Sequence, residues 1–197
     1  AHLPSGVLQV LPGGDDTGRH LVAHPCIEHV SLTGSVAVGR AVGAQVGHNL
    51  KTATLELGGN DAAIVLEDAD PAKVAGDLFY NAFKNCGQTC TAIKRIYAHH
   101  SLHGALGEAL RGLADALVVG DGMQTATQMG PINNEPQLTK VQSLLSDALA
   151  RGRSVICGGQ RIDSAGFFHQ PTIVTGLPDD ALVVAEEQFG PVLPLLD

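Results

Sequence analysis

Four short segments of the 197-residue chain carry residue types that do chemistry in concert. In Phe83-Lys84-Asn85-Cys86-Gly87-Gln88-Thr89-Cys90 a cysteine stands just past a helix-forming stretch, in a turn rich in glycine and side-chain amides. A thiol projected from such a turn is a nucleophile when backbone N–H groups or a cation favour the thiolate, the species that attacks. The plain alternative is an inert, buried Cys90, since free cysteine is among the most buried residue types. In Leu55-Glu56-Leu57-Gly58-Gly59 a carboxylate lies between leucines at the end of a strand, followed by two glycines that permit a sharp turn. Apolar surroundings would make Glu56 a stronger base toward water. Its alternative is a solvent-facing strand residue, the usual place for Glu. In Gly34-Ser35-Val36-Ala37-Val38-Gly39 small residues open a helix whose free N–H groups suit a phosphate, although it is no GxGxxG fingerprint. Ser35 is equally an ordinary N-cap, and Gly39 a packing glycine. In Glu186-Glu187-Gln188-Phe189-Gly190-Pro191 adjacent carboxylates precede an aromatic and a Gly-Pro break. A ribose diol fits that pattern, and so does a solvated acidic loop anchored by Phe189.

The elements that must hold these segments alternate. Strands are expected at 7–10, 29–32, 52–57, 62–66, 93–98, 155–157 and 172–175, with a final one after Pro191. Helices are expected at 36–46, 71–84, 102–117 and 135–150, the second announced by Asp70-Pro71. The pattern predicts an α/β fold, a mostly parallel sheet with flanking helices.

Composition narrows the class. Apolar residues make up 44%, charged residues 16% and aromatics 4%, with 24 Gly and 10 Pro, as in an ordinary folded chain rather than a disordered or fibrous one. Twelve Lys and Arg against 20 Asp and Glu give a net charge of −8, with no basic run to track a phosphate backbone or an anionic membrane. No apolar stretch approaches the roughly 20 residues that span a bilayer, and no signal-peptide pattern opens the chain. The expectation is a cytoplasmic protein with neither nucleic acid nor membrane as partner. Four cysteines, Cys26, Cys86, Cys90 and Cys157, are too few for a disulfide scaffold. Cys86, four residues before Cys90, is a redox partner only if the turn brings the sulfurs together. His99, His100 and His103 lack a fourth ligand at useful spacing, so no metal site is expected.

In this order, the four segments resemble the NAD(P)-dependent aldehyde dehydrogenase superfamily. Phe83, Gly87, Gln88 and Cys90 fit its cysteine signature, and Leu55 through Gly59 fit its Leu-Glu-Leu-Gly-Gly glutamate signature unchanged. The resemblance extends to Leu3-Pro4-Ser5-Gly6, Leu32-Thr33-Gly34-Ser35, Gly130-Pro131 and residues 186–191, hence over essentially the whole chain. Members of that family are more than twice as long. The chain therefore looks like an internal portion, with residues 1–57 as the C-terminal part of a Rossmann-like cofactor-binding domain and 58–197 as most of the catalytic domain.

Carried over position by position, the resemblance implies Cys90 as nucleophile and Glu56 as the base for hydrolytic water. It implies Gly34, Ser35, Val38, Leu57, Gly58, Glu187 and Phe189 as contacts to NAD or NADP, with Ser35 on the pyrophosphate, Glu187 on a ribose and Phe189 beside the nicotinamide. The implied partners are a small-molecule aldehyde and further copies of the chain in a homodimer or homotetramer. The mechanism it implies runs through a Cys90 thiohemiacetal and thioester, with the Cys90 N–H as one oxyanion donor. The family's oxyanion Asn and its ribose-reading Lys fall in a segment upstream of Ala1, so the 197 residues alone are expected to be inactive. Three alternatives compete: a coenzyme-A-acylating relative, which generally lacks the base that Glu56 would supply; a non-catalytic fragment; and an esterase-like thiol hydrolase.

Overall fold

A computed structural model describes residues 3–152 and 154–197. The chain divides into two compact units, Ala1–Gly58 and Gly59–Asp197.

In the first unit, helix α1 (Asp15–Ala23) precedes strand β1 (His29–Gly34), helix α2 (Val36–His48) and strand β2 (Thr52–Leu57). β1 and β2 pair in parallel, Thr33 opposite Glu56 and Gly34 opposite Leu57. Leu55 and Leu57 share the face toward α2, where Gly43 and Gly39 leave room for their side chains. A Cβ at Gly39 would press on the Leu57 side chain, so this glycine is a packing glycine. Two corrections fall here. The strand expected at 7–10 is a bend at Val7 and Leu8 followed by irregular chain, with Val7 63% and Val10 83% exposed, because no strand among the described residues offers its backbone a ladder. Helix α1 was not expected; it opens with Asp15 and Asp16 at its positive end and buries none of its residues, so no apolar stripe advertises it.

The second unit holds a five-stranded sheet in the order β3-β4-β7-β6-β5, from β3 (Ala62–Val65), β4 (Arg95–Ala98), β5 (Ser154–Cys157), β6 (Thr172–Thr175) and β7 (Val192–Leu196). All neighbours are parallel except β5 and β6. Helices α3 (Pro71–Phe83), α4 (His100–Ala116), α5 (Glu135–Ala150) and the single turn α6 (Leu182–Ala185) complete it. The α/β expectation with a mostly parallel sheet is met. α3 starts where the sequence signals it: the Asp70 side chain accepts from the Ala72 N–H at 3.1 Å, with Pro71 in the first turn. Its Phe79 and Phe83 rings, one helical turn apart, stack at 4.6 Å and are buried. α5 is capped by Asn134 through the Gln137 N–H at 2.9 Å and buries Leu138, Val141, Leu145 and Ala148 on one stripe. Ile173, Leu193 and Leu195, fully buried in β6 and β7, form the centre of the core.

Candidate active site

α3 ends at Phe83, and the chain then turns through a 3-10 segment, Lys84–Gly87. Within it Asn85 (φ 51), Cys86 (φ 59) and Gly87 (φ 70) all adopt the left-handed region, which two side-chain-bearing residues enter only when their surroundings over-determine it. Those surroundings are specific. The Asn85 side chain donates to the Gln88 carbonyl at 3.0 Å, and the Gln88 N–H donates to the Asn85 carbonyl at 3.1 Å. The Gln88 amide donates to the Pro131 carbonyl at 3.3 Å and accepts from the Asn133 N–H at 2.8 Å, which pins the turn to the segment before α5. Gly87 is packed so closely against Gly190 that a Cβ would overlap the Gly190 carbonyl oxygen. The turn thus presents Cys90 as an exposed thiol, while Cys86 is buried.

Burial separates the cysteines of this unit. The Cys86 thiol is pushed up to about 12 and the Cys157 thiol to about 11, both chiefly by desolvation, so both remain protonated near neutral pH. All four cysteines are free thiols, and the pairing of Cys86 with Cys90 considered from their spacing is not formed. Gly59 stands beside the Cys90 carbonyl oxygen, 4.0 Å from where a Cβ would be.

The 187–189 segment approaches the same turn. Glu187 is half-buried, and its Oε1 is enclosed without a hydrogen-bond partner among the described residues. Such an oxygen suits a hydroxyl donor from outside the protein, so the residue fits the ribose role that the resemblance implies. Phe189 is half-buried and left-handed at φ 48. Its segment is held by α5: the Gln137 amide donates to the Gln188 and Phe189 carbonyls at 2.8 and 3.0 Å, and the Lys140 ammonium donates to the Glu187 carbonyl at 2.8 Å. A cleft of about 760 Å³ is lined by Asn85, Gln88, Asn133, Phe167 and Phe189 among others; Cys90 does not line it.

Two residues of this region escaped the sequence reading. Lys94 is 2% exposed and Gln188 is fully buried. The Gln188 amide donates to the Lys94 carbonyl at 3.1 Å and also to the Val183 carbonyl. A signal for Lys94 exists in the sequence: Ala92, Lys94, Ile96 and Ala98 alternate with half-buried neighbours, so the period of two assigns the lysine to the buried face.

The remaining expected site residues lie in the first unit. Gly34 ends β1, and Ser35 caps α2, its hydroxyl accepting from the Val38 N–H at 3.3 Å. No acidic residue occupies the first turn of α2, and Val38 is 48% exposed, while Asp15 and Arg19 of α1 line the same hollow as Ala37 and Val38. Leu57 ends β2, half-buried like Gly58. Glu56 is exposed, which corrects the expectation of apolar surroundings: its leucine neighbours point to the opposite face, toward α2, and leave the carboxylate on the side their own side chains do not cover.

Among the described residues no group of three or more His, Cys, Asp or Glu is arranged to hold a metal ion, and no helix is long and apolar enough to cross a membrane. His99 and His100 stack on each other at 4.1 Å, while His103 bonds the Thr175 hydroxyl at 2.9 Å.

The model of the aldehyde dehydrogenase family matches residues 1–197. A probable aldehyde dehydrogenase of a Pseudomonas species is 45% identical over 195 residues, covering 98% of this chain and 40% of that protein. The succinate-semialdehyde dehydrogenase (NADP+) of Escherichia coli is 37% identical, over 99% of this chain and 41% of that protein. The crystal structure of Mycobacterium tuberculosis aldehyde dehydrogenase complexed with NAD+ superposes with a TM-score of 0.94 at 40% identity, covering 98% of this chain and 41% of that one. The chain thus spans about two fifths of the length of the relatives it matches.

Proposed function

The chain belongs to the aldehyde dehydrogenase family, and from that premise we propose that the protein oxidises an aldehyde to a carboxylic acid with NAD or NADP as the electron acceptor. The observation that supports this reading most is the Cys90 turn: an exposed thiol carried on three left-handed residues that buried contacts and side-chain amides lock in place. Left-handed backbone at Asn85, Cys86 and Gly87, just ahead of a solvent-exposed thiol, is the kind of strain that clusters at working sites.

In the proposed reaction the Cys90 thiolate adds to the aldehyde carbon, and the carbonyl oxygen takes up negative charge beside the Cys90 backbone N–H. A nicotinamide held beside Phe189 would supply the hydride acceptor, and the carbon that loses the hydride would stay on Cys90 as a thioester. Glu56 takes a proton from water, and the resulting hydroxide attacks the thioester carbon; the C–S bond breaks, the carboxylic acid leaves and the thiolate is restored. Ser35, Gly34 and Val38 would meet the pyrophosphate at the N-terminus of α2, with Leu57 and Gly58 beside the dinucleotide. Glu187 would accept from a ribose hydroxyl with its unpartnered Oε1, and Phe189 would pack by the nicotinamide. Residues 1–57 are read as part of the cofactor-binding domain and 58–197 as most of the catalytic domain, with turnover requiring the family's full length.

The test is aldehyde-dependent formation of NADH or NADPH, with product analysis, by the protein carrying Cys90 or Cys90→Ser. Loss of at least about a thousandfold in turnover is expected, because removing the nucleophile of a covalent mechanism leaves only binding and electrostatic effects. A Cys90→Ser protein that retains turnover overturns the assignment. Acyl-coenzyme A as the product replaces water with a thiol as acceptor, and ester cleavage without nicotinamide replaces oxidation with hydrolysis.

A further inference from the structure

Lys94 is the one lysine buried among the described residues, and a buried ammonium costs several kcal/mol of desolvation unless its surroundings compensate. The compensation is concentrated on the site. The Lys94 Nζ donates to the Gly87 carbonyl at 2.7 Å and lies 5.1 Å from the centroid of the Phe189 ring. Its backbone is fixed as well: its N–H donates to the Asp61 carbonyl at 2.9 Å, and its carbonyl accepts from Gln188. Four charged or titratable groups face the ammonium from the packed elements: Glu187 ahead of β7, Asp61 ahead of β3, Cys90 in the turn and Lys140 on α5. Burial lowers the Lys94 pKa from its ordinary value, and Glu187, then Asp61 and Cys90, act in the opposite direction.

We propose that Lys94 is a positioning residue for Cys90, its ammonium tying the left-handed turn through the Gly87 carbonyl to the Phe189 ring and holding a fixed positive charge within the field of the sulfur. The Gly87 carbonyl belongs to the strained residue that cannot carry a side chain, and Phe189 belongs to the segment read as the nicotinamide contact. One side chain therefore fixes the spacing between the nucleophile and the cofactor segment. A neutral tie to the Gly87 carbonyl would have been met by the amide of a glutamine; a cation there adds a positive charge that interacts with Cys90 as well. The inference rests on the reading of Cys90 as the reactive thiol.

The experiment measures alkylation rates at Cys90 with anionic iodoacetate and neutral iodoacetamide, resolved by peptide mass spectrometry, with exposed Cys26 as internal reference. Both reagents form the same S–C bond and expel iodide, so the ratio of their rates cancels accessibility and intrinsic nucleophilicity and retains the local charge. In Lys94→Met the ratio at Cys90 is expected to fall at least about threefold, in Lys94→Arg to stay near that of the parent chain, and at Cys26 to stay constant in all three. A folded Lys94→Met protein whose two rates change in parallel, or not at all, reduces Lys94 to a packing residue and overturns the proposal. Should Lys94→Met not fold, the unmodified chain decides: with 15N-labelled lysine, carboxymethylation of Cys90 is expected to move the Lys94 Nζ resonance more than carbamidomethylation does, and equal effects sink the idea. If Cys90 of the parent chain reacts no faster than Cys26, the reading of Cys90 itself fails and takes this inference with it; selective Cys90 labelling with a ratio insensitive to residue 94 fails the inference alone.

Discussion

The turn that carries Cys90 rests on a five-stranded sheet with Ile173, Leu193 and Leu195 fully buried, whereas Ser35 and Glu56 stand on a two-stranded sheet in a unit that buries Gly39 and Val46. Both regions carry residues the proposed chemistry needs, and both use parallel strands. They differ in what fixes the side chains. In the second unit the segments around Cys90 are held by named contacts: Gly87 by Gly190, Gln88 by Asn133, the 187–189 carbonyls by Gln137 and Lys140. In the first unit Ser35 is fixed by its own helix, and Glu56 by its strand register alone. A thiol that must be aimed is placed by a core; an anion-binding helix end needs little beyond its own backbone.

The largest consequence is in local stability. A two-stranded sheet is marginal by itself, so the amides of β1 and β2 are expected to exchange with solvent at least about a thousandfold faster than those of β6 and β7, roughly 4 kcal/mol in opening free energy. Native-state hydrogen exchange reads this directly, and equal protection in the two sheets would break the contrast.

Next in size is Gly87→Ala. A left-handed alanine costs about 1–2 kcal/mol, and the overlap with the Gly190 carbonyl adds a packing penalty of about 1–3 kcal/mol. A loss of about 3 kcal/mol in the second unit is expected from denaturant unfolding followed by tyrosine fluorescence. That probe is selective, because the chain has no tryptophan and its two tyrosines, Tyr80 and Tyr97, both belong to this unit. A Gly87→Ala protein of unchanged midpoint would mean that the turn is soft and that its strain fixes nothing.

The contrast between the regions also marks what was legible beforehand. β2, β6 and α5 have the bounds their patterns announce, because β-branched runs between breakers and an Asn134-to-Ala150 apolar stripe are local signals. Cys90, the two carboxylates and Ser35 were singled out for the same reason, as short motifs, and the structure adds an exposed Cys90 thiol, an exposed Glu56 and a Ser35 cap on α2. The strand expected at 7–10 failed because apolar alternation is necessary for a strand and a hydrogen-bonding neighbour is equally so. Helix α1 was invisible because it buries none of its residues. Lys94, Gln137 and Gln188 reach residues 7 to 94 positions away, or within the next loop, and their role exists only once β4, α5 and β7 are assembled. Their types alone read as surface residues.

A smaller effect separates the units by pH. Cys86, raised from 9.0 to about 12, and Cys157, raised from 9.0 to about 11, keep their protons in the folded second unit after the unfolded chain has lost them. Above about pH 9 the unfolded state therefore binds fewer protons than the folded state, and stability falls as pH rises from 9 toward 11 to 12. Buried Cys86 contributes up to about 1.4 kcal/mol per pH unit within its window, and half-buried Cys157 less, because solvent screens it. Tyrosine-monitored unfolding between pH 8 and 10, for which roughly 1–2 kcal/mol of loss is expected, should lose part of its slope in Cys86→Ala. An undiminished slope would assign the alkaline loss to other groups.

The smallest expected effect is the sharpest test of the contrast. Ser35→Ala removes the hydroxyl that accepts from the Val38 N–H, a cap with a typical value of about 1 kcal/mol. If the two units answer to separate sets of contacts, this loss stays local. Exchange of the first-turn amides of α2 should quicken about fivefold, the equivalent of that 1 kcal/mol, while the tyrosine-monitored midpoint of the second unit stays put, because Ser35 supports a helix end and none of the contacts that hold Gly87 or Gln88. A parallel drop in both signals would mean that the first unit, for all its exposed surface, unfolds with the second as one cooperative body, and that the Cys90 turn depends on more than the contacts of its own sheet.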